Sequence, residues 1–309
     1  MKLLKKVLVV GIILLIGWKL GLADLITRAD QTTKTQSTTT EQTTEQTTKE
    51  STTKTTTTKL VQTVDEDQPL YTTDSFTEVS QTVNEGEFTT LVEETSDGYK
   101  VKTDAGNTGY LMKDAGKIVE KTETEKPTSI KGAVIVLDPG HGGDDTGALS
   151  NDENTYEKTV TLATAKQLKS DLEAAGATVY LTHSEDHYIS LDDICEFSTT
   201  KNADLFISLH ADSTEYANEA TGITTYYYYD DEKELADTVE NSFSDLPLAS
   251  RGTEYGNYQV LRENLQSSIL IEMGYMNNDS DLSYLTSSSY QEQLSSAVTE
   301  AVKTYFSEN

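Results

Sequence analysis

The chain has 309 residues, only 35% of them hydrophobic, and a formal net charge of −28 at pH 7. That charge repels nucleic acid and other polyanions, and a single cysteine, Cys195, excludes an internal disulfide. The length allows about two domains of roughly 100–200 residues each, and the low apolar content implies that part of the chain stays unstructured.

Lys2, Lys5 and Lys6 precede an apolar run at 7–18, and small residues follow at Gly21 and Ala23. This is the layout of an export signal, although Leu20, Leu22 and Leu25 extend the run enough for an anchor. Residues 1–30 therefore read as a signal peptide or a membrane anchor, with everything downstream extracytoplasmic. Residues 31–59 are about half threonine, with Gln, Lys, Glu and Ser making up the rest. Such a stretch buries too little apolar surface to offset its ordering entropy, which predicts a disordered tether.

From 60 to 120 the pattern changes to short strand-like pieces at 69–71, 88–92, 99–102 and 108–111, separated by turn residues at 84–86, 96–98 and 105–107. The spacing predicts a small all-β barrel. With Gly86 and the closing Gly109 and Tyr110, it resembles a bacterial SH3-like domain, which implies a groove for cell-wall peptides and draws attention to Tyr71, Tyr99 and Tyr110. Read as residues alone, these tyrosines serve equally well as barrel core and cross-strand pairs.

Residues 130–309 alternate strand and helix signals. An apolar run at 134–137 ends at Asp138, Pro139 and Gly140, and His141 follows. An amphipathic helix is predicted from Glu157 to Ala175, capped by Gly176. Strands follow at 178–181, at 204–209 ending in His210, at 222–229 through four consecutive tyrosines, at 258–261, and at 268–271 ending in Glu272. Helices are predicted from Ser190, over 232–243 and over 290–306. The fold class is α/β, a mostly parallel sheet covered by helices on both faces and preceded by the small barrel.

In such sheets function gathers beyond the carboxyl ends of the strands. His141, His210 and Glu272 each stand at such an end, and Glu157 opens a helix at the same edge. Two imidazoles with two carboxylates is the inventory of a zinc hydrolase, with three His or carboxylate ligands, an open position for water, and a free carboxylate as base. No nucleophile pairs with the histidines, and Cys195 falls in a helix interior, where it reads as a small buried hydrophobe.

At these residues the chain resembles the zinc-dependent N-acetylmuramoyl-L-alanine amidases of the amidase-3 type. The resemblance is carried by Leu-Asp-Pro-Gly-His-Gly-Gly at 137–143, Glu157, Leu-Phe-Ile-Ser-Leu-His-Ala-Asp at 205–212 and Leu-Ile-Glu-Met-Gly-Tyr-Met-Asn at 270–277. It implies one zinc ion held by His141, Glu157 and His210, Glu272 as the catalytic glutamate, and cleavage of the amide joining muramic acid to the first L-alanine of the stem peptide. The implied partners are peptidoglycan glycan and peptide, with the SH3-like domain holding the cell wall, and no nucleic acid. Other readings are an inactive wall-binding or regulatory protein, or a zinc peptidase cutting elsewhere in the stem.

Three positions depart from the family pattern: His183 and Ile194 stand where arginines are usual, and Asp212 where asparagine is common. His183 and His187 read as surface or locally bonded residues, and Arg251 and Arg262 as salt-bridge partners. Residues 213–221 are too few for an inhibitory helix, so an open cleft is expected. Gly142 and Gly143 read as clearance for a bulky polymer.

Overall fold

The structure, a computed structural model, describes residues 55–308; the predicted export segment and most of the threonine-rich stretch lie outside the described residues. Among the described residues no helix is long and apolar enough to cross a membrane.

The N-terminal part is one seven-stranded sheet, formed by β1 (Thr55–Thr63), β2 (Gln68–Tyr71), β3 (Val79–Val83), β4 (Phe88–Glu94), β5 (Gly98–Lys102), β6 (Thr108–Met112) and β7 (Gly116–Thr124). Its order is β3-β2-β6-β5-β4-β1-β7, and every neighbouring pair is antiparallel. Val61 of β1 and Val83 of β3 lie far apart in that order yet share one cluster with Leu70, Tyr99, Val101 and Leu111, so the sheet curls around a common interior. The first strand begins at Thr55, inside the stretch composition assigned to the tether. Threonine is β-branched and suits a strand once a partner exists, and β7 supplies one from Thr55↔Thr124 onward.

A second, six-stranded sheet contains β8 (Val134–Pro139), β9 (Thr178–Leu181), β10 (Leu205–Asp212), β11 (Ile223–Tyr227), β12 (Ser250–Tyr255) and β13 (Ser268–Tyr275) in the order β12-β11-β13-β10-β8-β9. All its neighbours are parallel except β11 against β13. The helices are α1 (Glu157–Ala175), α2 (Leu191–Thr200), α3 (Lys233–Asn241), α4 (Gln259–Arg262), α5 (Asp279–Leu285) and α6 (Ser288–Glu308).

Because side chains alternate along a strand, β8 sends Ile135 and Leu137 into one apolar cluster, which includes Leu168 of α1, Leu235 of α3 and Val298 of α6. Val136 goes into another, with Ile194 of α2 and Val260 and Leu261 of α4. Both faces are thus covered. The end signals work as residue chemistry requires. Ser190 accepts a hydrogen bond from Asp193 N to cap α2, and Gly176 ends α1 at φ 106°, in the left-handed region. Cys195 is a buried free thiol, pushed up to about 12 by burial.

One predicted strand is corrected. Residues 258–261 fall on the single turn α4 (Gln259–Arg262) and its N-cap Tyr258, and the strand of that region is β12, just before it. Four apolar-leaning residues do not distinguish the two periods; here the buried neighbours Val260 and Leu261 both face α2, which a helical turn permits and an alternating strand does not.

Glu232 joins three of these elements. Its buried carboxylate accepts hydrogen bonds from Tyr228 N (3.4 Å), Tyr229 N (3.2 Å), Ser268 N (2.8 Å) and Ser268 Oγ (3.0 Å). Truncating it strands several buried donors at about 1–3 kcal/mol each, so Glu232→Ala is expected to lose on the order of 3 kcal/mol or more in urea unfolding; an unchanged midpoint contradicts this role.

Candidate metal centre

Strand β10 lies between β8 and β13, with Leu209 opposite Pro139 and His210 opposite Glu272. That register brings the ends of three strands to one point and places α1, which opens on Glu157, above them. Beyond β8, Gly140 leaves room where a Cβ would overlap the His210 ring. Gly147, at φ 63°, does the same beneath His141 and Glu157.

Glu157 is 4% exposed. One carboxylate oxygen accepts from Ala211 N (2.9 Å) and lies 2.9 Å from His210 Nδ1. The other accepts from Ala148 N (2.8 Å) and lies 3.0 Å from His141 Nε2. Burial works to raise its pKa, but the hydrogen bonds and charges of the two imidazoles outweigh burial and hold it well below the usual carboxylate range. His141 Nδ1 lies 2.9 Å from Asp145 Oδ2, which fixes its ring. The two rings meet edge to face, with centroids 4.8 Å apart.

Burial opposes the charged form of both histidines. For His141 the hydrogen bond and charge of Glu157 reverse that effect, and for His210 Glu157 together with the charge of Glu272 pushes the pKa up to about 9. One ligand atom each of His141, Glu157 and His210 fall within 4.8 Å of one another, a grouping able to hold a metal ion. Two imidazoles and a carboxylate are a fitting donor set for zinc.

Glu272 stands apart from this trio. It is 9% exposed, and its Oε2 has no hydrogen-bond partner. Burial pushes its pKa up to about 8; His210 opposes this, while the charges of Glu157 and Asp212 reinforce it. Buried carboxylate oxygens are rarely left unbonded, and a functional site is where such an exception belongs.

His141, His210 and Glu272 line a cleft of about 310 Å³ that also has an apolar flank, formed by Ile189, Ile194, Tyr258, Val260 and Leu270. No residue of 213–221 lines it. His183 also lines it and takes the second of its two expected readings: it is buried, with Nδ1 3.4 Å from the Thr182 hydroxyl and its ring against His187 at 5.4 Å, and burial lowers its pKa. Ile194 is buried in the apolar core. Arg262 pairs with Glu263 at 3.0 Å, whereas Arg251 stacks over Tyr275 at 5.5 Å. Gly142 and Gly143 do not clear space for a polymer: a Cβ at either would run into the backbone of His187 or Tyr188. Sequence reasoning also passed over Asp138, which accepts hydroxyl hydrogen bonds from Thr182 and Ser208 (both 2.8 Å) beneath the cleft. Asp145 and Tyr258 were missed too; only Asp145, four residues after His141, carried a local signal.

The family described as N-acetylmuramoyl-L-alanine amidase matches residues 135–304. Among curated proteins, the chain is 38% identical over 192 residues to the probable cell wall amidase LytH of Staphylococcus aureus, a match covering 62% of this chain and 63% of that protein. Among solved structures it is similar to an N-acetylmuramoyl-L-alanine amidase from Clostridium difficile 630, at 35% identity and a TM-score of 0.55, covering 57% of this chain and 97% of the other. It is also similar to the amidase AmiC2 of Nostoc punctiforme, at 34% identity and a TM-score of 0.54, covering 56% of this chain and 96% of the other.

The protonation pattern has a measurable consequence in metal-free protein. A group whose folded pKa is raised adds stability that is complete below its ordinary value and lost as pH rises through the folded value. For His210 that window runs from 6.5 to about 9. Metal-free protein should therefore lose thermal stability as pH rises from 6.5 to 9, with the His210 ring signal titrating near the upper end; a ring that titrates at 6.5 contradicts the coupling to Glu157.

Proposed function

The chain belongs to the N-acetylmuramoyl-L-alanine amidase family, and from that membership we propose that it hydrolyses the amide between the lactyl group of muramic acid and L-alanine, freeing stem peptide from glycan. The observation that carries this reading is the unbonded, nearly sealed carboxylate of Glu272 beside the group of His141, Glu157 and His210. In this reading His141, Glu157 and His210 hold one zinc ion, and Glu272 is the acid–base group. Bound zinc supplies Lewis acidity, polarising the amide carbonyl and lowering the pKa of a water.

The protein's own groups do the rest. Without metal, Glu157 spaces the two imidazoles through its two oxygens, leaving the same nitrogens facing the position an ion would take, and Asp145 orients His141 from behind. Glu272, nearly sealed from solvent and with one oxygen unbonded, is placed as the acid–base group and takes the proton of the attacking water. It returns that proton to the L-alanine nitrogen as the carbon–nitrogen bond breaks. The apolar flank excludes competing water and seats uncharged parts of the substrate.

We assign the curled N-terminal sheet as an SH3-like wall-binding domain. Of its three suspected tyrosines, Tyr99 is core, while Tyr71 and Tyr110, paired across β2 and β6, are half-buried and accessible to a ligand. Residues 1–30 act as export signal or membrane anchor and the threonine-rich residues before β1 as tether, so the enzyme works outside the cytoplasm, on the cell wall. The chain spans 63% of the length of the curated relative.

Digestion of purified peptidoglycan tests the reaction. New L-alanine amino termini with intact glycan are expected; other termini indicate a peptidase, and no release with zinc present indicates a wall-binding protein without activity. A chelator should abolish turnover and zinc restore it. Glu272→Ala should keep stoichiometric zinc while losing on the order of 10²–10⁴ in kcat, the usual contribution of a positioned acid–base group. Loss of zinc from that variant, with His141→Ala harmless, reverses the assigned roles.

A further inference from the structure

The apolar flank of the cleft rests on a weak element. Tyr258, Gln259 and Val260 line the cleft, and they lie at the start of α4, a helix of four residues. A single turn has no helical stability of its own, because nucleation costs more than one turn of hydrogen bonds returns. Its position must come from what holds it: Val260 and Leu261 are buried in the core beside α2, and its two ends are held in part by the N-terminal sheet.

The stretch 84–88, the turn between β3 and β4 together with the first residue of β4, reaches the segment 257–263 at both ends. At the start, Asn257 Nδ2 donates to Asn84 Oδ1 (3.4 Å). At the end, Arg262 Nε donates to the carbonyl of Glu85 while Arg262 Nη1 donates to Asn257 Oδ1 (2.6 Å), tying one end to the other. Gly86 lies against Glu263 so closely that a Cβ would overlap that side chain, and its φ of 73° is one that favours glycine.

The tyrosines of β11 and the residues after it complete the connection. Phe88 N donates to the Tyr229 hydroxyl (3.0 Å), which donates to the Arg262 carbonyl (2.7 Å), so one hydroxyl links the sheet to the end of α4. The Tyr228 hydroxyl accepts from Asn84 Nδ2 (2.7 Å) and donates to Glu87 Oε2 (2.8 Å). On the cleft side, Tyr226 packs its ring against Tyr258, with centroids 5.1 Å apart.

We infer that the stretch 84–88 is a positioning element for the cleft: by holding α4 at both ends it sets the flank formed by Tyr258, Gln259 and Val260, so the N-terminal domain is part of the catalytic unit as well as a binder of cell wall. The inference rests on the proposed amidase reading for its activity readout, and on local dynamics for a readout independent of it.

The test uses the full chain carrying Asn84→Ala with Glu87→Ala, two partly exposed turn residues outside both cores. The substrate is a soluble disaccharide–peptide monomer that needs no wall binding. The expected result is a drop in kcat/KM on the order of tenfold, since small displacements of a positioning surface are costly, with zinc content and the cooperative melting transition retained. Glu87→Gln, which keeps an acceptor for the Tyr228 hydroxyl, should restore most of the rate, and Ser96→Ala, at the opposite end of β4, should match the parent. In parallel, amide hydrogen exchange across 257–263 should speed up in the double variant. Parent-like rates on the monomer, with loss confined to insoluble peptidoglycan, overturn the inference, as does unchanged exchange at 257–263. If the parent chain itself releases no L-alanine amine, the amidase reading fails, and the exchange result alone decides the positioning role.

Discussion

A carboxylate nearly sealed from solvent persists as an anion only where surrounding donors replace its water, and Glu157 has four of them. Two are backbone N–H groups, from Ala148 on the loop after β8 and Ala211 on β10; two are imidazole nitrogens, from His141 and His210. The arrangement couples fold to site. The β8 loop, β10 and α1 cannot shift independently without leaving a buried charge unpaired, a loss on the scale of several kcal/mol. The same carboxylate fixes the separation of the two rings. Glu272 is held by the neighbouring strand instead, and its contrasting environment separates the two acids: one is kept ionised by donors, the other is pushed up by burial with an oxygen left unbonded. Divergent environments for two nearby carboxylates are how one site divides ligand from acid–base duty.

The two sides of the cleft are built differently. The side carrying the histidines stands on central parallel strands, buried on both faces. The apolar lining includes a single helical turn, α4, braced by tyrosine hydroxyls and by a turn from the other domain. Tyrosine suits the junction, since its ring packs as apolar surface while its hydroxyl both donates and accepts.

Much of this was legible in the sequence. The runs at 134–137, 205–209 and 268–271 are apolar without alternation, the signature of strands covered on both faces, and each ends in a polar residue at the functional edge. That pattern alone puts His141, His210 and Glu272 at one edge of the sheet, and the helix start adds Glu157. The cap signals at Ser190 and Gly176 were also readable. β1 and β7 were not, because their threonines, lysines and glutamates carry no apolar alternation and become strands only by pairing with each other. The α4 turn was misread because four residues cannot display a period. The roles of Tyr228 and Tyr229 were hidden, since their partners Glu87 and Phe88 are each 141 residues away in sequence. Gly142 and Gly143 were misassigned for the same reason: the backbone they accommodate comes from a distant loop.

The central claim is that His141, Glu157 and His210 form the ligand set while Glu272 stays free. A crystal structure of zinc-loaded protein, with the ion located by anomalous scattering at the zinc edge, tests it most directly. The account predicts one zinc bonded to both imidazoles at about 2.0–2.1 Å and to Glu157 at about 2.0–2.2 Å, with Glu272 facing the open position and not bonded to the metal. Zinc bonded to Glu272 in place of Glu157, or lying away from these three residues, would contradict it.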